Sequence, residues 1–400
     1  MEKERMRVSI LPNQFLGSDG VFDKEGAIKL SAKIAGVCYD KLGFNNLVNE
    51  PLEKTKRRAD LTLSMGHYSV YDHIFISFNL ENIPKMLAMV LNNEKQYTTS
   101  EKSARYTKIV KKEGSNITSL EEELYNKWLE IFKFKIKNTY GDVLPDSKIV
   151  KLAQENARYL VTVFMPTEMI YTTSLRQVNN LAAFMKEYIA GIDINSSFDR
   201  KLAESMGELI TCFDKLNVLD ERLMKNEKNR CLSIFGHDLA NKQEYFGDIY
   251  STIYMGSFAS YAQAQRHRTL SYQFEMLDDK KYFVPPILDD DEKLVNEWNC
   301  DIRSVHDVIP QGEMLLISEV GKYDDFILKS KERLCTSAQL EIMLQTRDTL
   351  LKYKEALENT NNPLAEDILK YSHGARCTFP DFKCPNDCNF KEGKTLVRKI

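Results

Sequence analysis

The feature that most constrains this 400-residue chain is an internal repeat, because three signals occur twice in the same order. The first is a Leu-Ser pair running into Gly-His, at Leu63-Ser64-Met65-Gly66-His67 and again at Leu232-Ser233-Ile234-Phe235-Gly236-His237. The second is a β-branched and aromatic run that leads into a helix, at His73 to Phe78 and at Ile249 to Tyr254. Period-two alternation of apolar and polar residues is the mark of a half-buried strand. The third is a proline followed within three residues by Glu-Met and a strand, at Pro166 to Tyr171 and at Pro310 to Leu316, each time with an amphipathic helix behind it. Three signals in register imply two copies of one α+β unit, residues 1–192 and 200–365. Gly191 to Ser197 has the chemistry of a helix stop and a new N-cap, which makes it the linker. Residues 366–400 form a short Cys-rich C-terminal tail.

With 43% hydrophobic and 28% charged residues, a chain of this length buries a large core. Its net charge of −3 gives no global field to hold a polyanion, so a phosphate ligand must be gripped by a local cluster. Nucleic acid is therefore not an expected partner. The N-terminal MEKERMRVSI has no apolar signal region and no run reaches the ~18 apolar residues of a membrane span, so a cytoplasmic, membrane-free protein is expected. Eight cysteines are too few for a disulfide scaffold, and Cys38, Cys212, Cys231, Cys300 and Cys335 read as core thiols.

Arg266-His267-Arg268 places two permanent cations around an imidazole at the end of a helix. Guanidinium forks suit phosphate and carbonyl oxygens, and arginine keeps its charge at any working pH. Alone, such a triplet reads as well as a solvated basic turn. The preceding Phe258 to Gln265 is built of small and polar residues, and it sets Gln263 one turn below Arg266.

These residues resemble the signature of flavin-dependent thymidylate synthases, in which a Gln precedes Arg-His-Arg, a Ser follows, and a Ser-x-Arg-Tyr segment lies beyond. Gln263, Arg266, His267, Arg268 and Ser271 match, but Asp278 stands where the family has its phosphate-binding Arg. The first half shows the mirror image of that loss. Asn93, Glu94 and Lys95 replace Arg-His-Arg, whereas Glu101, Ser103, Arg105 and Tyr106 supply the other segment. Gly66 to His73 is similar to the family's flavin segment and contains Ser69, while Ala157-Arg158 resembles its Ala-Arg, with Pro166 four residues later than the family's proline. Ala338-Gln339-Leu340-Glu341-Ile342 matches the family's Ala-Gln-x-Glu-Ile, and Arg333 lies at the family's spacing for the catalytic arginine. Arg176 and Asn179 are the candidates for its flavin-binding Asn-x-Arg, which is not clean in either half.

The resemblance implies reductive methylation of dUMP at C5 to dTMP, with methylenetetrahydrofolate giving the carbon and FAD, reduced by NADPH, giving the hydride. It assigns catalysis to Arg333 and substrate binding to Gln263, Arg266, Glu101, Ser103, Arg105 and Arg158. Flavin binding falls to Arg266, His267, Arg268, Ser69, Glu101, Arg176 and Asn179. The surviving motifs sort into two complementary sets, one per half, which implies one composite nucleotide site per chain. Because family members are tetramers, two fused units imply a homodimer forming a pseudo-tetramer. Modification of another pyrimidine nucleotide, or a non-catalytic nucleotide-binding paralogue, are the alternative readings. In the tail, His373, Cys377, Cys384 and Cys388 are the ligand types of tetrahedral zinc or, through the three thiols, of an iron–sulfur cluster. Reduced surface thiols are the competing reading.

Overall fold

The computed structural model describes residues 5–103, 109, 116–225, 230–385 and 388–400. In chain order, β1 (Arg7–Ile10) is followed by α1 (Lys24–Gly36), α2 (Phe44–Val48), α3 (Leu52–Ser64), β2 (Phe75–Pro84), α4 (Lys85–Leu91) and β3 (Thr98–Glu101). Then come α5 (Ser119–Tyr140), α6 (Asp146–Ala157), β4 (Pro166–Ser174), α7 (Leu175–Gly191) and α8 (Ser197–Lys215). The remainder is β5 (Tyr245–Phe246), β6 (Ile249–Ser257), α9 (Phe258–Ala264), β7 (Ser271–Met276), α10 (Glu292–Ser304), β8 (Met314–Lys322), α11 (Tyr323–Arg333) and α12 (Leu340–Asn359). The architecture is mixed α+β, as the sequence implies.

The chain divides into two compact units, Met1–Lys102 with Pro166–Leu232, and Ser103–Met165 with Ser233–Ile400. The sequence boundaries placed α5 and α6 in the first half, but the contacts group them with the second. Likewise, the tail is a packed part of the second unit, where the Arg398 guanidinium donates to the Ala338 carbonyl at 2.6 Å and the Tyr140 hydroxyl to Glu392 at 2.6 Å.

Each unit contains one four-stranded antiparallel sheet, ordered β1-β2-β4-β3 in the first and β5-β6-β8-β7 in the second. In both, the second and fourth strands of the unit run straight into a helix, β2 into α4 and β4 into α7, β6 into α9 and β8 into α11. The junctions are set locally. Ser174 and Ser257 are N-caps whose hydroxyls accept from the backbone N–H of Gln177 and Ser260, satisfying donors that a helix start leaves open. Alternation decides which face is covered: Ile76, Phe78 and Leu80 of β2 are buried, and Phe78 meets Phe213 of α8 with ring centroids 5.0 Å apart. In the second unit, Trp128 of α5 meets Trp298 of α10 edge-on at 4.9 Å, and both indole N–H groups find acceptors, at Asp301 (2.7 Å) and at the Phe283 carbonyl (2.8 Å). Large aromatic cores hold only when such polar edges are satisfied.

Candidate functional site

The second unit gathers its chemistry around the end of α9. The small and polar composition of Phe258 to Gln265 lets neighbouring groups approach closely, and Gln263 is buried with only 5% of its surface exposed. Arg333, at the last turn of α11, donates from Nε to Nε2 of His267 at 2.7 Å and from Nη2 to the backbone carbonyl of Gln263 at 3.2 Å. Residues separated by seventy positions in the chain are thus brought together, and they are the ones the sequence singled out.

His267 is buried, and burial, with the charges of Arg333 and Lys329, pushes its pKa down to about 2. Its imidazole is therefore neutral, with Nε2 free to accept from Arg333. The flanking Arg266 and Arg268 are exposed. The triplet is thereby divided in role, with an orienting base inside and two cations facing solvent.

Behind Gln263 lies a set of hydrogen bonds that begins at Ser257, the N-cap of α9. The Glu341 carboxylate accepts from the backbone N–H of Ser257 at 2.6 Å, from its hydroxyl at 2.6 Å and from the Tyr159 hydroxyl at 2.8 Å. Gln339 Nε2 donates to the Tyr159 hydroxyl oxygen, and Gln263 Nε2 donates to Gln339 Oε1 and, at 3.4 Å, to the Ala259 carbonyl. Burial dominates and raises the Glu341 carboxyl above its ordinary value, and the hydrogen bonds from Ser257 and Tyr159 and the nearby charge of Arg158 offset this only in part. Arg158 is itself buried beside this cluster.

One turn before Arg333 on the same helix, Lys329 is fully buried and pairs with Glu319 of β8 at 2.5 Å. Glu319 also accepts from the hydroxyls of Tyr250 (2.6 Å) and Tyr254 (2.8 Å), and Lys329 donates to Gln345 at 2.9 Å. Sequence reasoning missed Tyr159, Lys329 and Glu319. The signal for Lys329 was a charged residue within the apolar face of α11, between Phe326 and Ser330.

In the first unit, Glu101 ends β3 with its carboxylate paired to Lys85 and accepting from Asn92 at 3.3 Å. Ser69 is exposed in the 3-10 turn Tyr68–His73, and Arg176 holds Asp72 at 2.9 Å. Asn179 is fully buried, and its amide is committed to the backbone: it donates to the carbonyls of Leu175 (2.8 Å) and Val218 (3.1 Å) and accepts from the Asp220 N–H at 2.7 Å. Its observed role is to pin the turn after α8. Glu94, at an Arg-His-Arg equivalent position, is buried and pairs with Arg230 at 2.6 Å. Ser103 falls in the second unit with Gln263 and Arg333, while Arg105 lies outside the described residues. Among the described residues, no three His, Cys, Asp or Glu side chains are gathered to hold a metal, so His373, Cys377, Cys384 and Cys388 are not assembled as a ligand set. No helix among the described residues is long and apolar enough to cross a membrane.

The fold and site together define an α+β chain with an oriented arginine at a buried amide. Residues 21–209 match the family model described as thymidylate synthase complementing protein. A flavin-dependent thymidylate synthase of Clostridium tetani (strain Massachusetts / E88) is 23% identical over 166 residues, covering 38% of this chain and 67% of that protein. Residues 21–209 are thus similar to that family, and the match stops short of the Gln263 to Arg268 segment. Among solved structures, that of the UMP/dUMP methylase PolB from Streptomyces cacaoi bound with 5-Br dUMP aligns at 14% identity with a TM-score of 0.33, covering 56% of this chain and 95% of that one.

Proposed function

We propose that the protein is a flavin-dependent thymidylate synthase-like enzyme that methylates dUMP at C5, with methylenetetrahydrofolate as carbon donor and NADPH as reductant. The observation that carries this reading is the fixed guanidinium of Arg333, held through Nε by neutral His267 and through Nη2 by the Gln263 carbonyl. Activating C5 of a uracil ring without a strong base requires donors that stabilise negative charge on the ring oxygens. A guanidinium whose orientation is set before the substrate arrives does this with little reorganisation. The exposed cations Arg266 and Arg268 suit the diphosphate of FAD, and Ser69 and Arg176 are assigned to the same cofactor by the sequence resemblance, whereas both amide hydrogens of Asn179 are already spent on backbone carbonyls. Bound FAD, once reduced, supplies the hydride. Ser103 and Arg105 are assigned to the nucleotide phosphate, and the shared strand order of the two sheets supports the reading of two related units in one chain.

The test separates binding from chemistry. A charged hydrogen bond to phosphate is worth ~1.5–3 kcal/mol, so Arg105→Ala is expected to weaken dUMP binding about tenfold or more. Arg333→Ala is expected to lower kcat far more than it raises KM, as for a group acting in the transition state. Full turnover by the Arg333→Ala enzyme would overturn the assignment, as would purified protein that neither carries nor binds flavin.

A further inference from the structure

Gln263 Oε1 is buried and has no hydrogen-bond partner among the described residues. Which end of an amide faces a ligand is decided by what the other end is bonded to, and here that is fixed by the neighbouring Ala259 carbonyl and also from a distance. The backbone N–H of Ser257 can only donate, so Glu341 Oε1 must accept. The Ser257 hydroxyl accepts from the Ser260 N–H at 3.1 Å, which leaves its hydrogen for Glu341 Oε2. Tyr159 then gives its single hydrogen to the same carboxylate, so its oxygen can accept only, and it does so from Gln339 Nε2. Gln339 therefore turns its carbonyl to Gln263, whose Nε2 uses both hydrogens, on Gln339 Oε1 and the Ala259 carbonyl.

We infer that Glu341, Tyr159 and Gln339 form a one-directional hydrogen-bond relay that holds Gln263 with its carbonyl outward, so that the site selects a pyrimidine ring offering an N–H over one offering a lone pair. The inference rests on the proposed substrate class and adds the residues that decide within it. Uracil has a hydrogen on ring N3, and cytosine has a lone pair there. Against an outward carbonyl, uracil makes a hydrogen bond, whereas cytosine leaves two acceptors facing each other in a buried place. Tyr159, Gln339 and Glu341 are positioning residues that act through Gln263.

The experiment compares dUMP with dCMP by calorimetry on the full chain. A buried acceptor left unmet costs enough for wild type to favour dUMP by about tenfold or more. Tyr159→Phe removes the group that transmits direction and leaves Gln263 oriented by the Ala259 carbonyl alone, so this preference is expected to shrink. Glu341→Gln keeps the shape but puts an amide N–H₂ where Oε2 was. It would donate to Tyr159 and reverse the bonds as far as Gln339, whereas turning Gln263 to match would cost its bond to the Ala259 carbonyl, which can only accept, so the preference is expected to shrink further. A purely structural role would weaken both nucleotides together and leave their ratio unchanged. Variants that fold with an unaltered denaturation midpoint and keep the wild-type ratio overturn the relay. A ligand-independent measurement separates this from failure of the substrate reading. By NMR with glutamine-labelled protein, both Gln263 Nε2 hydrogens are expected to be protected from exchange in wild type, and the one bonded to Gln339 to lose protection in Tyr159→Phe. Protection with no nucleotide bound in calorimetry would sink the substrate reading and leave the relay standing, and an unprotected amide in wild type would overturn the relay itself.

Discussion

His267 is a base held in its neutral form so that it can accept a hydrogen bond from a cation. Its ordinary pKa near 6.5 is pushed down to about 2, first by burial and then by Arg333 and Lys329. The folded state therefore takes up no proton on His267 where the unfolded chain does. Stability from this residue is fully present above about pH 6.5 and is lost progressively as pH falls from there towards the folded-state value. The His267 ring is expected to show no titration between pH 5 and 8 in NMR chemical-shift titrations. A midpoint for this ring within that range would mean that the imidazole is charged and cannot orient Arg333. Asn179 shows the opposite case at the same scale. An amide that looked like a cofactor ligand in the sequence is consumed by three backbone hydrogen bonds.

At the scale of elements, α11 carries two charges with different fates. Arg333 reaches the site from the last turn, while Lys329, one turn earlier, is sealed against β8 with Glu319. Buried ion pairs add little net stability when complete, but removing one partner strands the other charge. Lys329→Met is expected to destabilise the protein by ~3–5 kcal/mol, read from the denaturant midpoint. Adding Glu319→Gln should recover much of that loss, because the stranded charge is then gone. A single variant as stable as wild type would show that water reaches the pair. The helix itself was legible in the sequence from its periodicity and from the strand that feeds it. The pairing was not, because an isolated lysine among apolar positions does not say which carboxylate it will meet.

At the scale of the whole molecule, the first prediction is assembly. If two family-like units are fused in one chain, the protein is expected to form a homodimer in sedimentation or light scattering, with one dUMP bound per chain in calorimetry. A stable monomer, or two equivalent nucleotide sites per chain, would overturn that arrangement. The sequence alone determined the mixed architecture and the strand-to-helix junctions at β2, β4, β6 and β8, because alternation and capping are local properties. It also marked Gln263, His267 and Arg333, since motif spacing survives in the chain order. Only the tertiary structure decided that α5 and α6 join the second unit, that His267 is neutral and that Asn179 is structural. The same holds for the direction of the amide chain from Glu341 to Gln263. Such facts depend on burial and on partners as far apart as Tyr159 and Glu341, 182 residues away in the chain, and desolvation and hydrogen-bond polarity exist only once those distant groups have met.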